Sequence, residues 1–235
     1  MKMTVIVARA DDAFSQILRE AGLEVVNLEL IRTEVIEDLS EFENLISRLD
    51  EYDGVFFTSP VAAAVLAAHV LPPVRPKIYA LGNRAVSVLK NAGFEPEAGS
   101  TGNTSEELVA SYGLEEFTGK RLLFIRGDRS MRTIPDRLAG VATMDEITVY
   151  RTVQLEPADE VAAAVRQGSP KWICFFSPSA VEAFEKRFGV GEVTVAAIGD
   201  TTAARARALG FEIGLVASKA TNSIFAQELL THLSA

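Results

Sequence analysis

The chain has 235 residues, 48% of them hydrophobic and 23% charged, enough apolar material for about two domains with real cores. Two histidines and one cysteine argue against a structural zinc site or a disulfide scaffold. A net charge of −9 argues against broad nucleic-acid binding, although local arginines and backbone N–H groups can still hold an anion.

From the N-terminus, Val5–Ala8 is a short apolar run that stops at Arg9, Asp11 and Asp12. It lacks the length of a signal peptide's apolar region and reads as the first buried strand of a cytoplasmic protein, to which the lone Cys is suited. Phe14, Ile17, Leu18 and Ala21 follow at helical spacing, and Gly22 ends that helix. Residues 31–36 are extended and half polar. Val55–Thr58 is the next buried strand, and Ser59-Pro60 starts a helix carrying Val61, Val65, Leu66 and Ala68. The serine accepts from first-turn N–H groups, and proline stands where no donor is needed. Ile78–Leu81 precedes a helix with Val86, Val88 and Leu89 that Gly93 closes, and Thr104-Ser-Glu-Glu107 is a capping box. Then come the strand Leu122–Ile125, the half-polar stretch 148–155, the strand Ile173–Phe176 with its Ser177-Pro178 helix start, and the strand Val195–Ile198 before a helix closed by Gly210. Apolar runs without alternation are the pattern of strands buried on both faces of a parallel sheet. No apolar run approaches the ~20 residues of a membrane span.

The elements repeat. Gly54-Val-Phe-Phe-Thr-Ser-Pro60 resembles Ile173-Cys-Phe-Phe-Ser-Pro178, and residues 79–95 resemble 196–212. Gly82 and Gly199 are 117 residues apart, as are Gly93 and Gly210, and Arg9 and Arg126. Ile31-Arg-Thr33 returns as Tyr150-Arg-Thr152 at an offset of 119. Four matches in one order at nearly one offset point to duplication. The stretches 31–36 and 148–155 break the βα rhythm, so the chain is expected to cross between domains twice. One domain is then 37–147 and the other is 1–30 joined to 156–235. The expected fold class is α/β: two similar open parallel-sheet, flavodoxin-like domains joined by a two-stranded β ladder, with a cleft between them.

Nucleotide and metal chemistry find no support. No Gly-x-Gly-x-x-Gly follows a strand, and Gly113–Arg121 only imitates a phosphate loop. Asp11-Asp12 lacks the receiving aspartate that a phosphoreceiver needs, since the corresponding turn is Thr58-Ser59-Pro60. His69 and His232 have no partner for nucleophilic catalysis, and Cys174 sits mid-strand as an inert thiol. What remains is a set of strand-end turns rich in small hydroxyls and free amides: Thr58-Ser59, Gly82-Asn83, Thr101–Ser105, Ser177-Pro178-Ser179 and Gly199-Asp-Thr201-Thr202. Arg9, Arg126, Arg129 and Arg132 accompany them. For any one turn, a helix cap is the better reading. Together they would line one edge of each sheet, where helix N-termini attract anions and arginines grip carboxylates. Tyr150, in a connecting strand, is one of the few proton-bearing side chains that could reach a ligand; interdomain packing accounts for it equally well.

The ordered set Gly54–Pro60, Leu81-Gly82, Ala92-Gly93-Phe94, Leu123–Gly127, Val149–Thr152, Phe176–Ser179 and Ala197–Ala203 resembles the uroporphyrinogen-III synthase family over essentially the whole chain. The resemblance implies a cyclising lyase of haem biosynthesis that needs no cofactor. Its substrate is hydroxymethylbilane, a linear tetrapyrrole with eight carboxylates. Water leaves, ring D is attacked at its substituted carbon, and a spiro intermediate fragments and recloses with ring D inverted. By resemblance Tyr150 is the catalytic candidate, helping the hydroxyl to leave. Arg9, Thr58, Ser59, Gly82, Asn83, Arg126, Arg132, Ser177, Ser179, Gly199, Thr201 and Thr202 are the substrate-binding candidates. Ala85 stands where the family often has threonine and the second copy has Thr202, so a hydroxyl there is either dispensable or replaced by Arg84. The expected partners exclude nucleic acid and membrane. The chain is expected to be a monomer, in transient contact with the preceding enzyme of the pathway. Two other classes stay open on the residues alone: a two-domain protein that binds a polyanion without chemistry, and a scaffold with no ligand.

Overall fold

The structure is a computed structural model that describes residues 3–98, 104–167 and 172–234. In chain order the elements are β1 (Thr4–Val7), α1 (Ala13–Glu20), β2 (Glu24–Asn27), β3 (Ile31–Val35), α2 (Ser40–Ile46), β4 (Gly54–Phe57), α3 (Pro60–His69), β5 (Lys77–Ala80), α4 (Asn83–Asn91), α5 (Ser105–Ala110), β6 (Arg121–Gly127), α6 (Thr133–Leu138), β7 (Thr143–Gln154), α7 (Asp159–Gln167), β8 (Trp172–Phe175), α8 (Pro178–Phe188), β9 (Thr194–Ala197), α9 (Asp200–Ala208), β10 (Glu212–Val216) and α10 (Asn222–Ser234). The chain divides into two compact units. The first is Met1–Arg32 with Val153–Ala235; the second is Thr33–Thr152.

The first unit holds a five-stranded sheet in the order β10-β9-β8-β1-β2, every neighbouring pair parallel. Numbered within the unit this is the 2-1-3-4-5 order of doubly wound sheets. The pleat sends alternate side chains to opposite faces. Val5, Val7, Cys174 and Ala196 meet Phe14 and Leu18 of α1 and Phe225 and Leu229 of α10. Ile6, Ile173, Phe175 and Val195 face the other way, onto Val181 and Phe184 of α8 and Ala203 and Ala206 of α9. Each of these large side chains contributes about 1.5–3 kcal/mol by leaving water. Cys174 is fully buried, and that burial pushes its thiol pKa well above the ordinary range, which makes it inert.

The second unit's sheet runs β3-β7-β6-β4-β5. The β5-β4, β4-β6 and β6-β7 pairs are parallel. Val55, Phe57, Leu123 and Ile125 pack with α3 and α4 through Ala62, Leu66, Ala85 and Leu89. Phe56, Leu122 and Phe124 face Leu108, Phe117 and Leu138.

The sequence repeat has a counterpart in the sheets. By the matched residues, β4 corresponds to β8, β5 to β9 and β6 to β1. The orders β5-β4-β6-β7 and β9-β8-β1-β2 then agree position by position. The same helix ending recurs in both copies: Gly93 and Gly210 follow α4 and α9 with φ +87° and +91°, a conformation that favours glycine. The copies differ at both edges: the second sheet adds β3 beyond β7, and the first adds β10 beyond β9. Beyond Gly210-Phe211 the first unit forms β10, whereas beyond Gly93-Phe94 the second forms, among the described residues, a parallel bridge between Ile78 and Pro96. Proline has no N–H to extend a ladder, so the strand ends where it begins.

All six expected buried strands are present, each registering at its C-terminal end one residue earlier than expected, except β6, which runs on to Gly127. β2 and β10 were not expected, and β7 begins at Thr143 rather than in the stretch from 148. Gly113–Lys120, the imitation phosphate loop, is a turn of 3-10 helix over Leu114–Phe117. Among the described residues no helix is long and apolar enough to cross a membrane.

Two charged clusters brace the second unit. Glu116 accepts from Lys120 Nζ at 2.8 Å, Lys77 Nζ at 2.9 Å and the Tyr79 hydroxyl at 3.0 Å. Chiefly through the Lys120 and then the Lys77 hydrogen bonds, its pKa falls from 4.5 to about 2. Asp145 is lowered too, first by the hydrogen bond from Tyr52 and further by Arg121. Groups lowered on folding stabilise fully above their unfolded pKa and lose that contribution as pH falls through the folded value. The denaturation midpoint should therefore decline between about pH 4.5 and about 2. Glu116→Gln should flatten part of that decline. Denaturant titrations at neutral and acid pH check this, and an unchanged acid slope in the variant would count against the Glu116 cluster's role.

Candidate active site

The parallel strands gather nearly all the candidate residues at one edge of each sheet, the carboxyl edge, where open α/β sheets place their ligands. In the first unit Arg9 leaves the end of β1, Ser177 and Ser179 begin α8 after β8, and Gly199, Thr201 and Thr202 begin α9 after β9. In the second unit Thr58 and Ser59 follow β4, Gly82 and Asn83 follow β5, Arg126 ends β6, Arg132 precedes α6, and Tyr150 lies in β7.

The serines are helix caps as well as candidate ligand groups. Ser59 Oγ accepts from Val61 N at 3.1 Å, and Ser177 Oγ accepts from Ala180 N at 3.2 Å, each with proline next in the helix. Ser177 and Ser179 hydroxyls lie 3.1 Å apart. Gly82 takes φ +80° at the start of α4, a conformation that favours glycine. Gly199 occupies the same place before α9 in extended backbone. Asn83, Arg84 and Thr201 are exposed, whereas Ala85 and Thr202 are buried at equivalent places in α4 and α9. Thr104 caps α5 in the expected box with Glu107, and Thr101–Asn103 of that turn lie outside the described residues.

The arginines are more engaged than their sequence suggests. Arg9 pairs with Asp12, the residue whose carboxylate also caps α1, and lies 3.5 Å above the Phe176 ring centroid. That stacking fixes the guanidinium plane at the β1–β8 boundary, the switch point of the sheet. Arg126 is mostly buried. It pairs with Glu146 and donates to the carbonyls of Gly127, at 3.3 Å, and Ser130. Arg132 is exposed and shares Glu146 at 3.1 Å. Arg126 thus serves first to tie the β6–α6 turn to β7.

Tyr150 is half buried against the α3–α4 core layer. Among the described residues its hydroxyl has no hydrogen-bond partner. The phenol lies over Gly127: a Cβ built there would sit 2.2 Å from Tyr150 Cζ and 2.6 Å from its hydroxyl oxygen. Asp128 brackets the tyrosine from the same turn. Its N–H donates to Tyr150 O at 3.1 Å, and its carboxylate accepts from Thr152 N at 3.0 Å. Sequence reasoning missed Gly127 and Asp128 in this role. It also missed Asn222 at the start of α10, which donates to Asp12 at 3.4 Å. Asn222 follows β10, an edge strand with little apolar signal, so its turn carried no mark.

The chain can now be set beside known proteins. A family model described as uroporphyrinogen-III synthase HemD matches residues 12–226. A uroporphyrinogen-III synthase of Chlorobaculum parvum is 27% identical over 228 residues, covering 91% of this chain and 92% of that one. Among solved structures, a mutant uroporphyrinogen III synthase from Thermus thermophilus aligns with TM-score 0.70 at 20% identity, over 99% of each chain. A uroporphyrinogen-III synthetase from Helicobacter pylori aligns with TM-score 0.64 at 16% identity, over 98% of this chain and 99% of that one. These two share the α/β fold with its parallel sheets. The alternative of a binding protein without catalysis finds no support among these relatives. With its model running from the cap of α1 into α10, the family is settled: the chain belongs to the uroporphyrinogen-III synthases.

Proposed function

We propose that the chain cyclises hydroxymethylbilane to uroporphyrinogen III. Family membership supports the reaction, and one observation supports Tyr150 as its catalytic residue: its hydroxyl is without a partner among the described residues at the carboxyl edge of the second unit's sheet. The pyrrole nitrogen's electrons expel the hydroxymethyl oxygen. The phenol donates a hydrogen bond to that oxygen as it gathers charge, and the pyrrole N–H gives up its proton, so that hydroxyl and proton leave together as water. The azafulvene so formed is attacked by the substituted carbon of ring D. The spiro intermediate breaks at its other bond, recloses with ring D inverted and loses a proton.

The substrate's carboxylates meet the turns at the strand ends. Helix N-termini after β4, β5, β8 and β9 offer amides and the hydroxyls of Ser59, Thr58, Ser177, Ser179, Thr201 and Thr202. Gly82, Asn83 and Gly199 bring backbone close, and Arg9 and Arg132 add positive charge. Orientation matters more here than acid strength. The free bilane closes readily without inversion, so the protein must hold the conformer that places ring D's crowded carbon next to the electrophile.

The two units are the chain's domains in this reading, and residues 31–36 and 148–155 are the strands that connect them. Two backbone hydrogen bonds support it, Ile36 N to Val149 O at 3.0 Å and Leu155 N to Leu30 O at 2.8 Å, because their residue numbers have a constant sum, as antiparallel strands require. The protein works in the cytoplasm, where its buried thiol stays reduced. At catalytic concentration it should consume fresh hydroxymethylbilane faster than buffer alone. Equal rates would overturn the reading.

A further inference from the structure

We propose that Gly127 and Asp128 are positioning residues for Tyr150, acting together as a seat that fixes where the phenol points; the proposal rests on the catalytic reading of Tyr150 above. Three features carry it. First, the β6–β7 register slips at this point: Arg126 pairs with Thr148, but Gly127 pairs with Tyr150, so Val149 is an extra residue on β7. Such a bulge re-aims the side chain that follows it. Its effect is visible in the packing, where Val149 and Tyr150, adjacent in sequence, both meet the α3–α4 core layer instead of alternating. Second, the re-aimed ring lies across the neighbouring strand in space that only glycine leaves. Any Cβ on the buried Gly127 would stand 2.2–2.6 Å from Cζ, Cε2 and the hydroxyl oxygen, all near the reactive tip. Third, the backbone that follows the ring is tied twice to one residue. Asp128 N–H holds the Tyr150 carbonyl and the Asp128 carboxylate holds the Thr152 N–H. The turn behind it is closed by Ser130, whose Oγ accepts from Gly127 N at 3.1 Å and whose N–H donates to Gly127 O at 3.1 Å.

The seat leaves the ring few ways to turn. Any side chain at 127 must push the hydroxyl away from its present place, and a displacement of about 1 Å at a reacting group can cost as much as a hundredfold in rate. The effect should fall on turnover, because substrate carboxylates are held elsewhere.

The test measures kcat and KM for conversion of hydroxymethylbilane to isomer III by the full chain and its variants. Gly127→Ala should lower kcat by about tenfold with KM within about twofold. Introduced into Tyr150→Phe, the same change should cost less than about twofold more, since the hydroxyl it displaces is already gone. As a check independent of that substitution's folding, Asp128→Ala should lower kcat while Asp128→Asn, which keeps the acceptor for Thr152 N–H, restores most of it. Three results would overturn the proposal: a wild-type kcat in Gly127→Ala, an equal loss from Gly127→Ala with and without the Tyr150 hydroxyl, or equal behaviour of the two Asp128 variants. A wild-type chain that makes no isomer III overturns the functional reading and the proposal with it, and the wild-type control alone separates that outcome from the others.

Discussion

Tyr150→Phe is expected to lower kcat by about a hundredfold and to leave KM nearly unchanged. The substitution removes one oxygen and keeps the ring that lies over Gly127 and against the α3–α4 layer, so folding should be intact. A hydrogen bond to a departing oxygen strengthens only as charge develops, so its loss appears in turnover and not in binding. Activity should not vanish. The pyrrole supplies most of the force that expels the hydroxyl, and orientation by the strand-end turns survives. Tyr150→Ala should lose more, because it also removes packing. Steady-state kinetics with freshly prepared substrate decide the matter, and a kcat within about twofold of wild type would remove Tyr150 from the mechanism.

The second large effect concerns stability. Phe56→Ala is expected to destabilise the second unit by about 3–5 kcal/mol. Phe56 is fully buried in β4, with its ring stacked on Tyr79 at 4.8 Å between centroids and tilted against Phe117 at 5.6 Å. Tyr79 is held in turn by Glu116, so the cavity cannot close without disturbing that cluster. Phe56→Leu, which refills most of the volume, should cost less than about 1.5 kcal/mol. Denaturant midpoints measure both. Amide exchange should show the loss concentrated in residues 33–152, because each unit has two core layers of its own. A loss under about 1 kcal/mol for the alanine variant would mean that this layer is not packed as described.

What the residues disclosed and what they concealed follow from where each element sits. Central strands such as Val55–Phe57 and Ile173–Phe175 are covered on both faces and are apolar at every position, so they stand out. Edge strands do not. Glu24-Val-Val-Asn27 and Glu212-Ile-Gly-Leu-Val216 have one neighbour and mixed exposure, and neither is long enough to show a period. The first half of β7 was concealed by Asp145 and Glu146, which look like loop residues until Arg121, Arg126 and Arg132 are brought beside them.

The site divides along the same line. Ser59, Ser177 and Gly82 were legible because capping is local: the residue and the amide it serves are neighbours in sequence. Arg126 was legible as a cation but not as one already paired, since Glu146 is 20 residues away and reaches it only across a strand pair. Gly127 stands in the ordered motif set, but nothing in the sequence marked its contact with Tyr150. Its role depends on a bulge that brings Tyr150 over it from the next strand, which is a property of register and not of composition.

Regiochemistry separates enzymatic ring closure from the spontaneous one. Freshly made hydroxymethylbilane is incubated with the chain, the products are oxidised and the isomers are separated. Isomer III should be the main product, in an amount that rises with the chain's concentration. Isomer I alone, as in buffer without protein, would contradict it.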